Sequence, residues 1–600
     1  MSRFHLSSDE SVHEAARELC SAAELTKAGE VTNKGINIST YEKRTIENTN
    51  LTVFENGGFV AVTGTLIING KMGGEALESV YDTFTNGGAA AVRDQAFGHY
   101  AVIVGKGDQV TVFGDPNGVY EIYYTTQNDW VVSNSLHLCS STLSEPTVRK
   151  HELLVKALEV SEVTDSTIFT DVKRLEGSEL LSIDTSEDEI SVEPMSRPQA
   201  GWEYQDESIE TVVEDYSERV MSVFADITAA TSDIGIQATG GLDSRSVLAG
   251  ILQQETNPAI LYAVGNSPLT NTKDNDLDVA RKYAQEFNLD FRQLDWGGSL
   301  PTDRSKWTAL FRKYGYRYNT YGATENFYDS LASSAVPELL MSGYAFGTVS
   351  NHYYWELTSS MPITLREIVE NHFTYVQKFS DDQFGRKDKY IEQLYTDCQT
   401  ALNRHGLQVN PGEELPLETF VTVIQLLNGR PQSAYVNIAN EFSFHLAPYA
   451  TFELSRPMLD FPPKHRRGER IRVKLLEELY PNVLNIPMFS GTAQAKITED
   501  SELVFPKSPS DRLVDFVSRN LPQPLLSQIR PIYQHLNSGP VGTETYNELK
   551  RSYQSRIQDS ELTAEDFDLE SYTGDIRLPA RLVHYVHGIE EVGYGSVVDR

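Results

Sequence analysis

The sequence predicts an α/β protein of two domains: a β-rich α+β domain over residues 1–200 and a parallel-sheet domain with C-terminal helices over residues 205–600. Short runs of β-branched residues, bounded by glycine, asparagine and aspartate, dominate the first third, whereas strand-like and helix-like patterns alternate afterwards. A polar stretch with proline and glycine over residues 186–201 marks the boundary. The chain has 600 residues, 40% of them hydrophobic, which is enough for two packed cores.

The first domain is predicted to contain four strands and one helix. Valine, isoleucine, threonine and aromatic residues cluster in short runs, which is typical of strands. The strands are predicted over residues 58–68, 100–104, 110–113 and 130–133, and the helix over residues 75–84. Sheet therefore outweighs helix in this part of the chain.

The second domain is predicted to begin with an amphipathic helix that leads into the first strand of a parallel sheet. Apolar residues recur at helical spacing at Ile209, Val212, Val213, Tyr216, Val220 and Val223. A second strand is predicted over residues 261–265, a helix from Asp276, and a further strand over residues 338–343. This alternation is typical of a sheet whose parallel strands are joined by helices.

The most informative segment is the run ATGGLDSR at residues 238–245, which lies between an apolar run and a helix-like segment. Its two glycines allow a tight turn that brings backbone N–H groups against phosphate oxygens, and the following helix directs its positive end at the anion. Thr239 and Ser244 add hydroxyl groups, and a carboxylate such as Asp243 is expected beside phosphates when it holds Mg²⁺. The run predicts a pyrophosphate-binding loop; a turn that uses glycine for geometry alone is the alternative.

This loop resembles the S-G-G-x-D-S loop of ATP pyrophosphatases, and its T-G-G-L-D-S-R form is most similar to the asparagine synthetase superfamily. Other segments resemble that family's motifs in the family's order: residues 276–281, 338–343, 456–460 and 474–481. The resemblance covers most of residues 207–490. It implies an ATP-pyrophosphatase fold for the second domain, with ATP and Mg²⁺ bound at the loop.

The resemblance also implies which residues contact the nucleotide and act in catalysis. The positions that match ATP-binding residues are Ala238, Thr239, Gly240, Gly241, Asp243, Ser244, Val264, Gly265, Ser342 and Gly343. Asp243 is the implied Mg²⁺ ligand, and Lys474 is the implied catalytic lysine, whose charge would stabilise an acyl-adenylate under attack. A solvated helix lysine is the alternative for Lys474, because other cations stand beside it. For Asp276, a cap on its own helix is the alternative to a role near ATP.

One segment departs from the family's pattern. After the serine-glycine strand end, the family has a turn that supplies a second acidic Mg²⁺ ligand, but residues 342–350 read SGYAFGTVS, without an acid. Because Mg²⁺ often keeps several waters, one carboxylate with the ATP phosphates can suffice. Catalysis is therefore expected to survive in a weakened or altered form, and a nucleotide-binding regulatory pseudoenzyme is the alternative.

The first domain resembles the class II glutamine amidotransferase domain of asparagine synthetases, which implies an Ntn-hydrolase-like fold. The matching segments are residues 98–102, 115–118, 123–124 and 132–135. The N-terminal cysteine is missing, since the chain begins MSR and Cys20 lies inside a predicted helix. The oxyanion asparagine-glycine pair falls on residues 63–64, and the glutamine-binding aspartate near residues 73–74, without a match. We expect no glutaminase activity and a scaffold or docking role; Ser2 as a nucleophile is the alternative.

Composition limits the partners. The 51 basic and 85 acidic residues give a net charge of −34, which would repel nucleic acids and anionic membranes. Cys20, Cys139 and Cys398 are isolated, so neither a zinc site nor a disulfide framework is indicated. No long apolar stretch or signal-like N-terminus appears, which predicts a cytoplasmic enzyme. A homo-oligomer is compatible with these features.

Together these features predict an AMP-forming carbon–nitrogen ligase that resembles asparagine synthetase. ATP would adenylate a substrate carboxylate, and ammonia or a substrate amine, rather than glutamine, would displace AMP. Aspartate and asparagine are the default substrate and product that the resemblance implies. Relatives without glutaminase activity, such as β-lactam synthetase and lasso-peptide cyclase, make a specialised amide- or ring-forming ligase the alternative.

Overall fold

The computed structural model describes residues 3–598 with gaps. The residues outside the description are 1–2, 34, 126–129, 158–162, 196–203, 205, 266–273, 297–303, 317–335, 346–362, 371–386, 405, 429–432, 467–468, 491–492, 505–550, 552–554, 556–559, 561–576, 594–595 and 599–600. Ser2 and the later part of the acid-free segment, residues 346–350, therefore lie outside the described residues. Within the described ranges, none of the helices has the length and apolar character needed to span a membrane.

The first third of the chain forms two antiparallel sheets. Its strands are β1 (Phe4–Ser7), β2 (Lys27–Asn33), β3 (Ile36–Tyr41), β4 (Leu51–Val53), β5 (Phe59–Ile68), β6 (Lys71–Met72), β7 (Ala96–Lys106), β8 (Gln109–Gly114), β9 (Tyr123–Thr125), β10 (Val131–Ser133), β11 (Thr147–Arg149), β12 (Val172–Arg174), β13 (Glu179–Asp184) and β14 (Glu189–Pro194). Its helices are α1 (Glu10–Ala22), α2 (Ala76–Gln95), α3 (Leu136–Ser141) and α4 (Lys150–Ala157). One sheet has the order β12-β9-β10-β1-β3-β2, and the other β14-β13-β8-β7-β5-β4, with β6 beside β5.

The two antiparallel sheets face each other across an apolar layer. Phe4 and Leu6 of β1 are buried in one cluster with Ala61 of β5 and Ile103 of β7. Helix α2 packs its apolar face, including Leu77, on the other side of the second sheet. The strands predicted from the sequence lie at β5, β7, β8 and β10, so the β-rich α+β prediction is confirmed for this part of the chain.

The remainder of the chain is built on a five-stranded parallel sheet. Its strands are β15 (Ile234–Gln237), β16 (Ala259–Gly265), β17 (Phe291–Trp296), β18 (Leu339–Met341) and β19 (Phe444–Leu446), in the order β17-β16-β15-β18-β19. The helices are α5 (Ile209–Ala230), α6 (Leu242–Gln253), α7 (Asp274–Glu286), α8 (Arg304–Tyr314), α9 (Lys387–Arg404), α10 (Leu417–Asn428), α11 (Ser433–Phe442), α12 (Phe452–Leu459), α13 (Arg470–Leu479) and α14 (Arg577–Val592). Four short strands, β20 (Phe489–Ser490), β21 (Ala493–Gln494), β22 (Lys496–Ile497) and β23 (Leu503–Val504), pair in twos, and β24 (Ser596–Val598) lies parallel to β11. The parallel sheet confirms the predicted α/β class.

Helix α5 begins and packs as its sequence predicts. Ser208 caps the helix, because its hydroxyl accepts a hydrogen bond from the Thr211 backbone N–H at 3.2 Å. The apolar stripe predicted from the spacing is buried against the parallel sheet and helix α6. The helix therefore leads directly into β15, the central strand of the sheet.

The two parts of the chain share their hydrophobic cores. Ile67 and Phe97 of the second antiparallel sheet pack in one cluster with Phe224 of α5 and Leu446 of β19. A second cluster joins residues of β10 and α3 to residues of α8, α10 and α14. Residues 189–194 of the predicted boundary form strand β14 of the second antiparallel sheet, and the hydrophobic cores continue across this part of the chain.

Candidate nucleotide-binding site

The loop at residues 238–241 lies where the order of the parallel sheet reverses. It follows β15, and the next strand in the chain, β16, pairs on one side of β15 while β18 pairs on the other, with Ile236 opposite both Ile260 and Met341. In open parallel sheets, ligands bind beyond the carboxyl ends of the strands at such a switch point. The topology therefore places the predicted pyrophosphate loop at the usual ligand position of this architecture.

The loop is held by its own polar groups. The Ser244 hydroxyl accepts a hydrogen bond from the Thr239 backbone N–H at 2.9 Å and donates one to the Thr239 carbonyl at 3.2 Å. The Gly240 N–H donates to Asp276 Oδ1 at 2.9 Å, so the structure places Asp276 at the loop. Gly241 is the N-cap of α6, and no side chain caps this helix end. The first amides of α6 are thus available to an anion.

Two glycines at the site are required by close packing. A Cβ on Gly343 would lie 2.1 Å from the Asp243 carbonyl carbon and 2.4 Å from the Ser244 backbone nitrogen. A Cβ on Gly240 would lie 2.7 Å from Asp276 Oδ1. The segment after β18 therefore packs closely against the first turn of α6, and the structure brings together the predicted residues 243–244 and 343.

Two other predicted nucleotide residues lie on the neighbouring strand. Val264 and Gly265 are the last residues of β16, where they pair with Asp295 and Trp296 of β17. They end at the same edge of the sheet as the loop, because the strands are parallel. Ser342 is buried, and its hydroxyl has no hydrogen-bond partner among the residues that the structure describes.

Arg245, the last residue of the loop motif, anchors the segment that follows α13. Its side chain is fully buried, and its Nη1 atom donates to the carbonyls of Val483 and Ile486, the latter at 2.9 Å. Its Nη2 atom donates to the Pro487 carbonyl at 3.2 Å, and the guanidinium lies 5.2 Å from the Tyr283 ring centroid. Arg245 therefore has a structural role, and it fixes helix α13 relative to α6.

The carboxylate of Asp243 contacts a guanidinium. Arg472 on α13 donates to Asp243 Oδ1, and its other terminal nitrogen donates to Glu469 Oε2 at 2.8 Å. The Arg472 side chain is 8% exposed, whereas that of Asp243 is 51% exposed. Desolvation raises the pKa of the Asp243 carboxyl, and the Arg472 guanidinium opposes this rise. The loop carboxylate thus already has a positively charged partner from the protein.

Lys474, the predicted catalytic lysine, lies on another side of the same helix. Its Nζ is 3.2 Å from Glu210 Oε1 of α5. Residues two apart on an α-helix point about 200° apart, so Arg472 and Lys474 face different neighbours. The structure places Arg472 against the loop, and the catalytic role of Lys474 stays a prediction. Sequence reasoning missed Arg472, although the presence of several cations in this helix was the available signal.

The described residues near the loop do not offer a free carboxylate set for Mg²⁺. Asp243 and Glu469 both contact Arg472, and Asp276 accepts from the Gly240 N–H. Where the family's second acid is expected, the described residues are Gly343, Tyr344 and Ala345. Within the described residues, no three or more His, Cys, Asp or Glu side chains are grouped so as to hold a metal ion. Each described carboxylate at the loop thus already has a partner in the protein, and ligation of Mg²⁺ by Asp243 stays a prediction.

The start of the chain is buried against the second half of the protein. Arg3 Nε is 3.0 Å from Glu441 Oε1 of α11, and both side chains are almost completely buried. Cys20 is fully buried, and burial raises the pKa of its thiol to about 11, so it is not a thiolate nucleophile at neutral pH. Gly64, on which the glycine of the amidotransferase oxyanion pair falls, has a left-handed backbone with φ 83° and packs against the His99 carbonyl.

Side chains of the second antiparallel sheet cover the edge strand of the parallel sheet. The backbone N–H of His445 in β19 donates to the Thr65 hydroxyl at 2.9 Å, and the N–H of Ala447 donates to His99 Nε2 at 3.2 Å. Burial lowers the pKa of His99 to about 4, so its imidazole is neutral and can accept this bond. These hydrogen bonds give partners to backbone N–H groups at the edge of the parallel sheet that would otherwise be unpaired.

Comparison with known proteins gives only weak likenesses. No protein-family model matches the chain, and no curated protein matches it. Among solved structures, a glutamine phosphoribosylpyrophosphate amidotransferase from B. subtilis, complexed with ADP and GMP, is 10% identical with a TM-score of 0.21, over 48% of this chain and 65% of that chain. An allosteric regulatory enzyme of purine biosynthesis is 10% identical with a TM-score of 0.22, over 49% of this chain and 65% of that chain. A tRNA thiolase from Methanococcus maripaludis is 10% identical with a TM-score of 0.17, over 41% of this chain and 84% of that chain.

The chain thus spans 65% of the length of each of the first two enzymes. TM-scores this low carry no argument about activity, and the functional conclusion depends on the site itself.

Proposed function

We propose that the protein is an ATP-dependent ligase that adenylates a carboxylate and then forms an amide. The observation that carries this proposal is the loop at residues 238–241, which lies at the switch point of the parallel sheet and leads into the first turn of α6, against which Gly343 packs. The uncapped end of α6 adds backbone donors and a positive helix end where the phosphates of ATP would lie.

The proposed chemistry has two steps. A carboxylate oxygen of the substrate attacks the α-phosphorus of ATP, the bond to the β-phosphate oxygen breaks, and pyrophosphate leaves with the electron pair. The loop amides and the N-terminus of α6 would stabilise the charge on that leaving group. The nitrogen of ammonia or of an amine then attacks the acyl carbon, the bond to AMP breaks, and the nitrogen loses a proton. Lys474 would stabilise this second transition state. Its ion pair is with the exposed Glu210, and exposed ion pairs contribute little to the free energy of folding.

The nitrogen donor in this proposal is ammonia or a substrate amine. The buried Cys20, and the contact of Arg3 with Glu441 at the start of the chain, support a domain without glutaminase chemistry. Its bonds to β19 support a scaffold role instead. Incubation with glutamine should release no glutamate, and release that is lost in Ser2→Ala would contradict this.

An AMP-release assay tests the proposal. We expect AMP to form from ATP with one member of a panel of carboxylates and ammonia, beginning with aspartate, and with amino-carboxylates that can close a ring. The variant Ser244→Ala, which removes the hydroxyl that holds Thr239, should lose most of this activity. A protein that binds ATP but forms no AMP across the panel would instead be a nucleotide-binding pseudoenzyme, which the absence of an acid at residues 342–345 favours.

A further inference from the structure

We propose that Arg472 supplies the positive charge at the loop, so that the site binds a pyrophosphate group without a divalent cation held by the protein. This inference rests on the proposed nucleotide site and assigns the residue that recognises the phosphates. Arg472 acts here through direct contact with the ligand and through neutralisation of Asp243.

The charges at the loop require a positive group beside Asp243 if a phosphate is to bind there. Asp243 lies in the first turn of α6, where its carboxylate would repel a phosphate bound at the helix end. A metal ion normally offsets such repulsion by binding both oxygens. Here the Arg472 guanidinium contacts Asp243 Oδ1, so its positive charge offsets the repulsion between Asp243 and a bound phosphate.

The Arg472 side chain is held in position by Glu469 and by the packing of helix α13. Glu469 Oε2 accepts from Arg472 Nη1 at 2.8 Å, and Glu469 has a left-handed backbone with φ 62° at the position before α13. A non-glycine residue in that conformation costs free energy, and such residues cluster at functional sites. Helix α13 is in turn fixed to α6 through the bonds of Arg245 to the segment after it. The guanidinium is thus held at the loop before any ligand binds.

The chemistry of the guanidinium group suits a pyrophosphate ligand. A guanidinium presents several N–H donors in one plane, which match two oxygens of a phosphate, and it stays charged at all physiological pH values. The carboxylates that would be needed for a metal at this place are engaged by Arg472 itself. The contacts of Arg472 therefore occupy carboxylates that could bind a metal, and the guanidinium N–H groups outside these two hydrogen bonds would donate to the phosphate.

Calorimetric titration of the full chain tests this inference, with inorganic pyrophosphate and ATP as probes, each in excess EDTA and in excess Mg²⁺. We expect the parent protein to bind pyrophosphate with a dissociation constant that differs less than about threefold between the two conditions. The variant Arg472→Gln should bind about 30-fold more weakly in EDTA, since charged hydrogen bonds are lost. Its affinity should recover in Mg²⁺, because Asp243 then no longer contacts a guanidinium and its carboxylate can bind the ion.

Two further variants separate a phosphate contact from a structural effect. Arg472→Lys keeps the charge but not the planar donors, so its affinity in EDTA should fall between those of the parent and Arg472→Gln. Arg366→Gln removes an exposed arginine paired with Glu370 and Glu392, and its binding should equal that of the parent.

The outcomes are distinguishable. A parent protein that binds only in Mg²⁺ overturns the inference and leaves the proposed nucleotide site intact. Equal binding of the parent and Arg472→Gln in EDTA also overturns it. If the parent binds neither probe under either condition, the proposed function is contradicted as well.

Discussion

The buried ion pair between Arg3 and Glu441 should be a main determinant of how the start of the chain is held. Arg3→Met removes the guanidinium, keeps much of the side-chain volume, and leaves the Glu441 carboxylate buried. Removal of one partner from a buried pair typically costs about 3–5 kcal/mol. Arg44 Nε, 3.8 Å from the other carboxylate oxygen, remains as a partial partner. We therefore expect the lower end, about 3 kcal/mol.

Hydrogen exchange is the suitable assay, because a chain of this size need not unfold in one step. Backbone amides of β1 and α11 report the local opening free energy directly. A loss of about 3 kcal/mol corresponds to exchange that is about 100-fold faster at these amides. The double variant Arg3→Met/Glu441→Met removes both charges, so its local opening free energy should lie within about 1 kcal/mol of that of the parent.

The matched control is Arg366→Met, which breaks ion pairs with the exposed Glu370 and Glu392. Exposed pairs contribute little, so exchange in β1 and α11 should not change. If Arg3→Met accelerates exchange less than about threefold, or if the double variant is no better than the single one, the buried-pair argument is wrong.

Three further predictions concern the loop, the edge strand and the lysine. Gly343→Ala would place a Cβ 2.1 Å from the Asp243 carbonyl carbon, so the backbone there must shift and ATP affinity measured by calorimetry should fall at least about tenfold. Gly412→Ala is the control for backbone strain alone, because its Cβ meets open space while its φ of 79° disfavours alanine; equal ATP affinities of Gly343→Ala and the parent would contradict the packing argument. The pKa of His99 is about 4 in the folded protein and 6.5 in the unfolded chain. The contribution of His99 to the free energy of unfolding is therefore complete above pH 6.5 and falls by about 3 kcal/mol as the pH drops to 4. His99→Gln should flatten this part of the pH–stability curve, and superimposable curves for parent and variant would refute the assignment. Lys474→Ala should lower AMP formation by about 100-fold with little change in ATP binding, whereas equal losses in both would indicate a structural role.

Local patterns predicted most of the elements because the information lies within each segment. The β-branched runs at β5 and β8 and the apolar stripe of α5 are properties of neighbouring residues, and they agree with the structure. Helix α2 is the exception, because it continues to Gln95, beyond the predicted end at residue 84. Gly88, with φ 73°, interrupts it, and the glycine pair at residues 87–88 resembles a helix end by sequence alone.

The contacts that define the site could be predicted only in part. The spacing of glycines, hydroxyls and acid in residues 238–245 identified the loop, because one short segment contains all of them. The contact of Arg472 with Asp243 joins residues 229 positions apart, and that of Arg3 with Glu441 joins residues 438 apart. Such pairs arise from the packing of α13 and α11, which no local pattern specifies. The guanidinium partner of Asp243, the predicted Mg²⁺ ligand, therefore could not be predicted from the loop segment alone.

ATP–pyrophosphate exchange measures whether the protein, through the loop after β15, adenylates a carboxylate. Labelled pyrophosphate is incubated with the protein, ATP and each member of a carboxylate panel, without an amine. Exchange reports the first step and its reversal, so the nitrogen donor need not be known. We expect label to appear in ATP only with one class of carboxylate, and to be lost in Gly343→Ala. No exchange with any carboxylate, from a protein that binds ATP, would contradict it.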